Sequence, residues 1–142
     1  MNIEVSSKQD QTATQFKKSE WKIADQEHYG QEVDWDSKEN VYLKATDGDR
    51  VVGVLEMEIK LGVASIDTVI VARNERCKGI GKQLMNQAEQ IAREKDCHKL
   101  SLYTGKVWEA NKLYTSLGYE PTADQANHYL HHDFVEYSKF LG

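Results

Sequence analysis

Val69-Ile70-Val71-Ala72-Arg73-Asn74-Glu75-Arg76-Cys77-Lys78-Gly79-Ile80-Gly81-Lys82 is the stretch on which the reading of this chain turns. An apolar, β-branched run leads into a loop with Gly79, Gly81 and the cations Arg73, Arg76, Lys78 and Lys82. Immediately afterwards Ile80, Leu84, Ala88, Ile91 and Ala92 recur at helical intervals. A helix starting there leaves its first N–H groups without intrahelical acceptors, and the helix dipole adds about half a positive charge. That combination suits a phosphate or pyrophosphate. Glycines at 79 and 81 remove side chains that would hold an anion away, and the four cations add long-range attraction. Two common phosphate loops are excluded by spacing. A P-loop requires glycine where Arg76 stands and Ser or Thr where Gln83 stands. A dinucleotide fingerprint requires a third glycine at Leu84.

Working outward, Val63 to Val71 reads as a strand, and the apolar spacing from Ile80 to about residue 95 reads as a helix of about four turns. Lys99 to Thr104 reads as the next strand, buried through Leu100 and Leu102 and broken by Gly105. Strand, helix and strand make a βαβ unit with parallel strands and a right-handed crossover. Upstream, Val41 to Ala45 and Arg50 to Leu61 flank Asp47-Gly48-Asp49 and predict a hairpin. In its second strand Val51, Leu55, Met57, Ile59 and Leu61 are expected on one face, with Glu56, Glu58 and Lys60 on the other. Gln11 to Tyr29 lacks Gly and Pro and reads as an amphipathic helix through Ala13, Phe16, Ile23 and Ala24, ended near Gly30. A short strand is expected at Ile3 to Val5. Ala110, Leu113, Tyr114 and Leu117 mark a short helix stopped by Gly118. Tyr119 to Leu141 is strand-like without a clean period. The order β-α-β-β-β-α-β-α-β-β implies a mixed sheet with helices on its faces.

With 142 residues, the chain fits one domain at about 150 residues each. Eighteen Lys and Arg against 23 Asp and Glu give a net charge of −5, which argues against a nucleic-acid binder held by phosphate neutralisation. No apolar run reaches a membrane span of roughly 18 residues, and mean hydropathy is −0.68. The N-terminal stretch shows no secretory pattern, so a cytoplasmic protein is expected. Cys77 and Cys97 show neither metal-ligand spacing nor a disulfide framework. His128, His131, His132 and Asp133 invite a metal reading, but adjacent histidines on a strand would face opposite sides, so no metal is expected.

Arg76-Cys77-Lys78-Gly79-Ile80-Gly81, following Ile66 to Val71, resembles the acyl-CoA pyrophosphate loop of the GNAT superfamily of N-acetyltransferases, written [RQ]-x-x-G-x-[GA]. Ala110-Asn111-Lys112-Leu113-Tyr114-Thr115-Ser116-Leu117-Gly118-Tyr119 is similar to that family's later A-x-x-[LF]-Y-x-x-x-G-[FY] motif. The resemblance implies an α/β (α+β) fold, a mixed central β-sheet flanked by helices, as a single domain over 1–142. It implies acetyl-CoA as cosubstrate and acetyl transfer to a primary amine of a small molecule or peptide. Backbone N–H groups of Arg76, Cys77, Lys78, Gly79, Ile80, Gly81 and Lys82 would hold the pyrophosphate. Main-chain groups of Val69 and Val71 would bond the pantetheine arm, and an amide near Val69 or Ile70 would polarise the acetyl carbonyl.

Tyr114 would protonate the departing thiolate, with core packing as its alternative role. The base is expected among Glu58, Asp67 and Glu56, in that order. Val107 stands where the family often has an asparagine, so Asn111 is the substitute considered for a CoA contact. The acidic region Asp25, Glu27, Glu32, Asp34, Asp36 and Glu39, interleaved with Trp21, Tyr29 and Trp35, would border an amine site, as would His128 or Asp133. Many family members are dimers, which admits a homodimer. A non-catalytic acyl-CoA-binding sensor is the alternative function.

Overall fold

Alternation of apolar and charged residues from Arg50 to Val71 builds the centre of the molecule. The computed structural model describes residues 1–142, in two compact units, Met1–Asp36 and Ser37–Gly142. In the second unit, β1 (Glu39–Asp47), β2 (Arg50–Lys60) and β3 (Val63–Val71) form an antiparallel meander. Helix α2 (Ile80–Glu94) then crosses to β4 (Lys99–Gly105), parallel to β3, and α3 (Ala110–Ser116) leads to β5 (Glu120–Gln125) and β6 (Phe134–Phe140). Six strands lie in the order β1-β2-β3-β4-β6-β5, a mixed sheet with one parallel rung set. The fold class and the parallel βαβ unit stand as expected.

One face of this sheet meets α2 and α3. Leu55, Met57, Ala64, Ile66, Leu100, Leu102, Val135 and Tyr137 from the strands join Leu84, Met85, Ala88 and Ala92 of α2 and Tyr114 of α3 in the core. The face opposite is polar and bears no helix of this unit. It carries Asn40, Glu58, Ser65, Ser101 and Ser138 in one row and Tyr42, Glu56, Thr68, Tyr103 and Glu136 in the next, because directly paired residues share a face. Gly53 lets α2 sit close. A Cβ there would meet Ile80 Cγ2 at 3.1 Å and Leu84 Cδ1 at 3.2 Å.

Two bulges shift the expected faces. The β1–β2 register slips between Ala45 and Thr46, so Val52 is buried and Val51, expected inside, is exposed. Leu61 lies outside the strand, in a left-handed turn with Gly62 (φ 49° and 86°). The second bulge lies between Glu56 and Met57, whose partners are Thr68 and Ile66, leaving Asp67 as the extra residue in β3. On a regular strand Asp67 would share a face with Ser65 and Val69. The bulge reverses the parity, so Val69 joins the core side while Thr68 and Ile70 turn to the polar face.

The first unit consists of α1 (Gln11–Tyr29) and the segment after it. Asp10 caps the helix through Thr12 N (2.7 Å) and Ala13 N (3.3 Å), and Gly30 closes it with φ 68°. The buried Asp25 carboxylate accepts from Val33 N at 3.1 Å and Trp35 Nε1 at 2.9 Å, folding the chain back against the helix. Trp35 lies between Trp21 and Tyr29, with centroids at 6.2 and 5.9 Å. Phe16 and Ile23, expected on an apolar stripe, are exposed. Ile3 to Val5 forms no strand, since no partner strand pairs with it.

The seat of α2 yields a stability prediction. Gly53→Val should cost about 1–3 kcal/mol through overpacking, read from the urea midpoint at unchanged m-value. Unaltered stability would mean that helix and strand are not in close contact at this position.

Candidate functional site

The β3–β4 pairing is where the sheet opens. The two strands are in register only from Val63↔Lys99 to Ile66↔Leu102, although β3 continues to Val71 and β4 to Gly105. Beyond Ile66 and Leu102 they diverge, and the divergence starts at the Asp67 bulge. Ala72 N donates to Val52 O at 2.8 Å, so residues 72, 70 and 68 direct their main-chain groups toward β2. Val69 and Val71 then direct theirs into the gap. The amide near the acetyl carbonyl was expected at Val69 or Ile70; that of Ile70 turns to β2, leaving Val69 as the one available.

At the mouth of the gap the chain makes the 3₁₀ turn Arg73–Glu75 and enters α2 through Gly79. Cys77 and Gly79 both have positive φ, 64° and 84°, which curls the loop so that successive N–H groups converge. No backbone N–H from Arg76 to Lys82 donates to an acceptor in the chain, and α2 has no side-chain N-cap. These are free donors at the positive end of a helix, an anion seat. A Cβ on Gly79 would meet nothing within 4 Å, and one on Gly81 would reach only ordinary contact with Leu113 Cδ2 (3.4 Å) and Val71 Cγ2 (3.7 Å).

The four cations do not act alike. Lys78 Nζ is 2.8 Å from Glu75 Oε2, and Arg50 of the β1–β2 hairpin is 2.6 Å from Glu75 Oε1. Lys78 is therefore largely neutralised, which corrects its expected part in attracting an anion, whereas Arg73, Arg76 and Lys82 have no ion-pair partner. Glu75 is buried and was missed from sequence. Its spacing from Lys78 was a readable signal; its bond to Arg50 was not. The hydrogen bond from Lys78, helped by Arg50, holds its carboxyl below the ordinary glutamate value of 4.5, against desolvation. Beside this loop, an open cleft of about 470 Å³ is lined by Val51 to Val54, Ile70, Val71, Ala72, Arg73 and Arg76.

Tyr114 is buried, its ring between Tyr119 and Tyr137 with centroids at 6.2 and 6.0 Å. Its hydroxyl has no hydrogen-bond partner in the chain yet keeps some open surface, whereas that of Tyr119 is fully enclosed and unpaired. Burial pushes the Tyr114 phenol above its ordinary value of 10.0. It therefore keeps its proton at neutral pH.

Asn111 has a different job from the one expected. Its Nδ2 donates to Gly105 O (2.9 Å) and Trp108 O (2.6 Å), engaging both hydrogens in the β4–α3 connection. It braces the loop and has no free donor for a cofactor. Of the expected bases, Glu58 is half-buried on the polar face, Glu56 and Asp67 are exposed, and none has an ion-pair partner. The histidine segment is not a strand. Residues Tyr129–His131 form an irregular turn with Leu130 and His131 at positive φ, and His131 Nδ1 lies 3.0 Å from Asn127 Oδ1. Asp133 Oδ1 accepts from Asn127 N at 2.8 Å.

Comparison with known proteins agrees with this geometry. The family model described as "Acetyltransferase (GNAT) family" matches residues 9–119. An acetyltransferase from Bacillus cereus ATCC 14579 superposes with TM-score 0.74 at 22% identity, covering 97% of this chain and 98% of the other. The ribosomal-protein-S18-alanine N-acetyltransferase from Escherichia coli gives TM-score 0.69 at 17% identity, covering 72% and 70%. A GNAT family acetyltransferase from Elizabethkingia anophelis, solved with acetyl-CoA bound, gives 0.67 at 20% identity, covering 72% and 76%. No curated protein matches the sequence.

Two outcomes follow. Gly81→Val should change the melting temperature little while weakening coenzyme A binding at least about tenfold, by filling the space between the helix start, Val71 and Leu113 at the mouth of the gap; equal affinity in a calorimetric titration would remove the loop assignment. Glu75→Gln should loosen the loop and raise the Kd for coenzyme A. The stabilisation from this depressed carboxyl is complete above pH 4.5 and lost as pH falls through its lower native value. Wild-type stability should therefore show an acid limb that the Gln variant has in reduced form, measured by urea unfolding from pH 3 to 6.

Proposed function

The chain belongs to the GNAT acetyltransferase family, and from that premise we propose that it transfers the acetyl group of acetyl-CoA to a primary amine of a small molecule or peptide. We take residues 1–142 to work as one such domain. The observation that carries the reading is the row of unengaged amides from Arg76 to Lys82 opening onto the gap between β3 and β4. Free donors at a helix start fit a diphosphate, and the unpaired edge of β3 fits an extended amide-bearing arm that bonds like an added strand. A solved relative, the Elizabethkingia protein, holds acetyl-CoA, and the Escherichia coli relative is named for acting on an alanine amine.

In this reading the Val69 N–H polarises the thioester carbonyl. The neutral amine forms a C–N bond as the C–S bond breaks. Tyr114, held protonated by burial and without a partner for its hydroxyl, delivers a proton to sulfur. The amine's surplus proton passes to a carboxylate of the polar face, with Glu58 first in order, then Asp67 and Glu56. Glu58 leads because it is half-buried beside Ser65, one rung below the point where the strands part.

Release of free thiol from acetyl-CoA, followed across a panel of small amines and N-terminal peptides, tests the activity. Turnover with at least one amine class is expected; binding without turnover on every class would assign a sensor. Tyr114→Phe should lower kcat by about 10–100-fold with KM for acetyl-CoA unchanged, since a thiolate leaves readily even without an acid. An unchanged kcat would return Tyr114 to a packing role.

A further inference from the structure

Across the β4–β6 ladder, Tyr103 stands opposite Glu136 and Gly105 opposite Phe134, all on the polar face. Tyr103 is the first β4 residue past the last rung shared with β3, so this pair sits at the closed end of the gap. The Glu136 side chain is only 16% exposed. It accepts from Tyr103 OH at 3.3 Å and from Ser138 Oγ at 3.2 Å, and Lys99 Nζ lies 3.6 Å away. A carboxylate offers about four lone-pair positions, so one remains. The same face carries Glu56 and Glu58 across the gap and Lys44 and Lys60 farther out, so its charges are mixed and Glu136 is the carboxylate that stands beside the rings. Burial first, then Glu136, pushes the Tyr103 phenol up, and Tyr129 adds to the effect.

Beside this carboxylate is a wall of rings. Phe134 meets Trp108, Tyr129 and His128 edge to face, with centroids at 5.7, 5.4 and 5.7 Å. Trp108 lies directly over Gly105, where a Cβ would collide with its indole. The wall is therefore set before anything binds, yet Trp108 and Tyr129 remain 57% and 66% exposed. A patch of rings left open beside a half-buried carboxylate is complementary to a cation joined to an aromatic body. Phe134 and Glu136 are two residues apart on one face, about 7 Å along the strand, which spans a ring and a short arm.

We propose that the acceptor is a primary arylalkylamine, its ammonium on Glu136 and its ring against Trp108, Tyr129 and Phe134. This rests on the acetyltransferase reading and narrows it to a substrate class. The test compares kcat/KM of the full chain for 2-phenylethylamine, n-butylamine, putrescine and an alanine-leading peptide, with acetyl-CoA saturating. At least a tenfold preference for 2-phenylethylamine over n-butylamine is expected. Trp108→Ala should remove most of that preference, and Glu136→Gln should raise KM for the amine at least tenfold while leaving Kd for coenzyme A unchanged. Should the Gln variant fail to fold, loss of the aryl preference in Trp108→Ala carries the test alone. Turnover that favours putrescine, n-butylamine or the peptide, or variants that leave every amine's KM alone, would overturn this inference and leave the acetyltransferase reading standing. Absence of both coenzyme A binding and thiol release would overturn the two together.

Discussion

The architecture depends on one interruption in a hydrogen-bond ladder. A parallel pair of strands inside a mixed sheet would ordinarily stay bonded along its length, because unpaired backbone groups are costly when buried. Here one extra residue in β3, Asp67, ends the pairing with β4 after Ile66↔Leu102 and turns the edge of Val69 and Val71 into an open slot. The molecule tolerates these unsatisfied groups, and those at the start of α2, because Val69 and Val71 are only partly buried and Arg76 to Gly79 are exposed, where water can reach them. On the helix side Ala64, Leu100, Leu102 and Met85 remain buried in one cluster beside the opening.

The loop above the slot shows how a small acidic protein makes a local anion seat. Its attraction comes from oriented amides and a helix dipole together with the unpaired Arg73, Arg76 and Lys82, while Lys78 is tied down by Glu75. That tie serves geometry: through Arg50 it connects the loop to the tip of the β1–β2 hairpin, while Gly53 below lets α2 approach the sheet. Loop, hairpin and helix start are thereby fixed relative to one another before any ligand arrives, lowering the entropy lost on binding.

Much of this was legible in the residues. The strand 63–71 was readable to the residue, and the helix from Ile80 closely, because their periods are strong and glycine marks their ends. The segment 119–141 was not, since β5 and β6 mix aromatic and polar residues and are separated by a turn whose left-handed residues are Asn127, Leu130 and His131 in place of glycine. Bulges were invisible for the same reason that registers are: which residue is extra depends on the partner strand. Hence Val51, read as inward, lies on the exposed side of its bulge. Tyr103 and Glu136 lie 33 positions apart, and only the β4–β6 pairing unites them. Asn111 was misjudged because its two carbonyl partners become neighbours only when the β4–α3 connection folds.

Amide hydrogen exchange with and without coenzyme A, resolved residue by residue by NMR, addresses the central claim most directly. The account predicts that exchange at Gly79, Ile80, Gly81 and Lys82 and at Val69 and Val71 slows sharply on binding, while Ile70, already bonded to β2, changes little. Binding that protects some other region and leaves these amides exchanging at their free rates would contradict it.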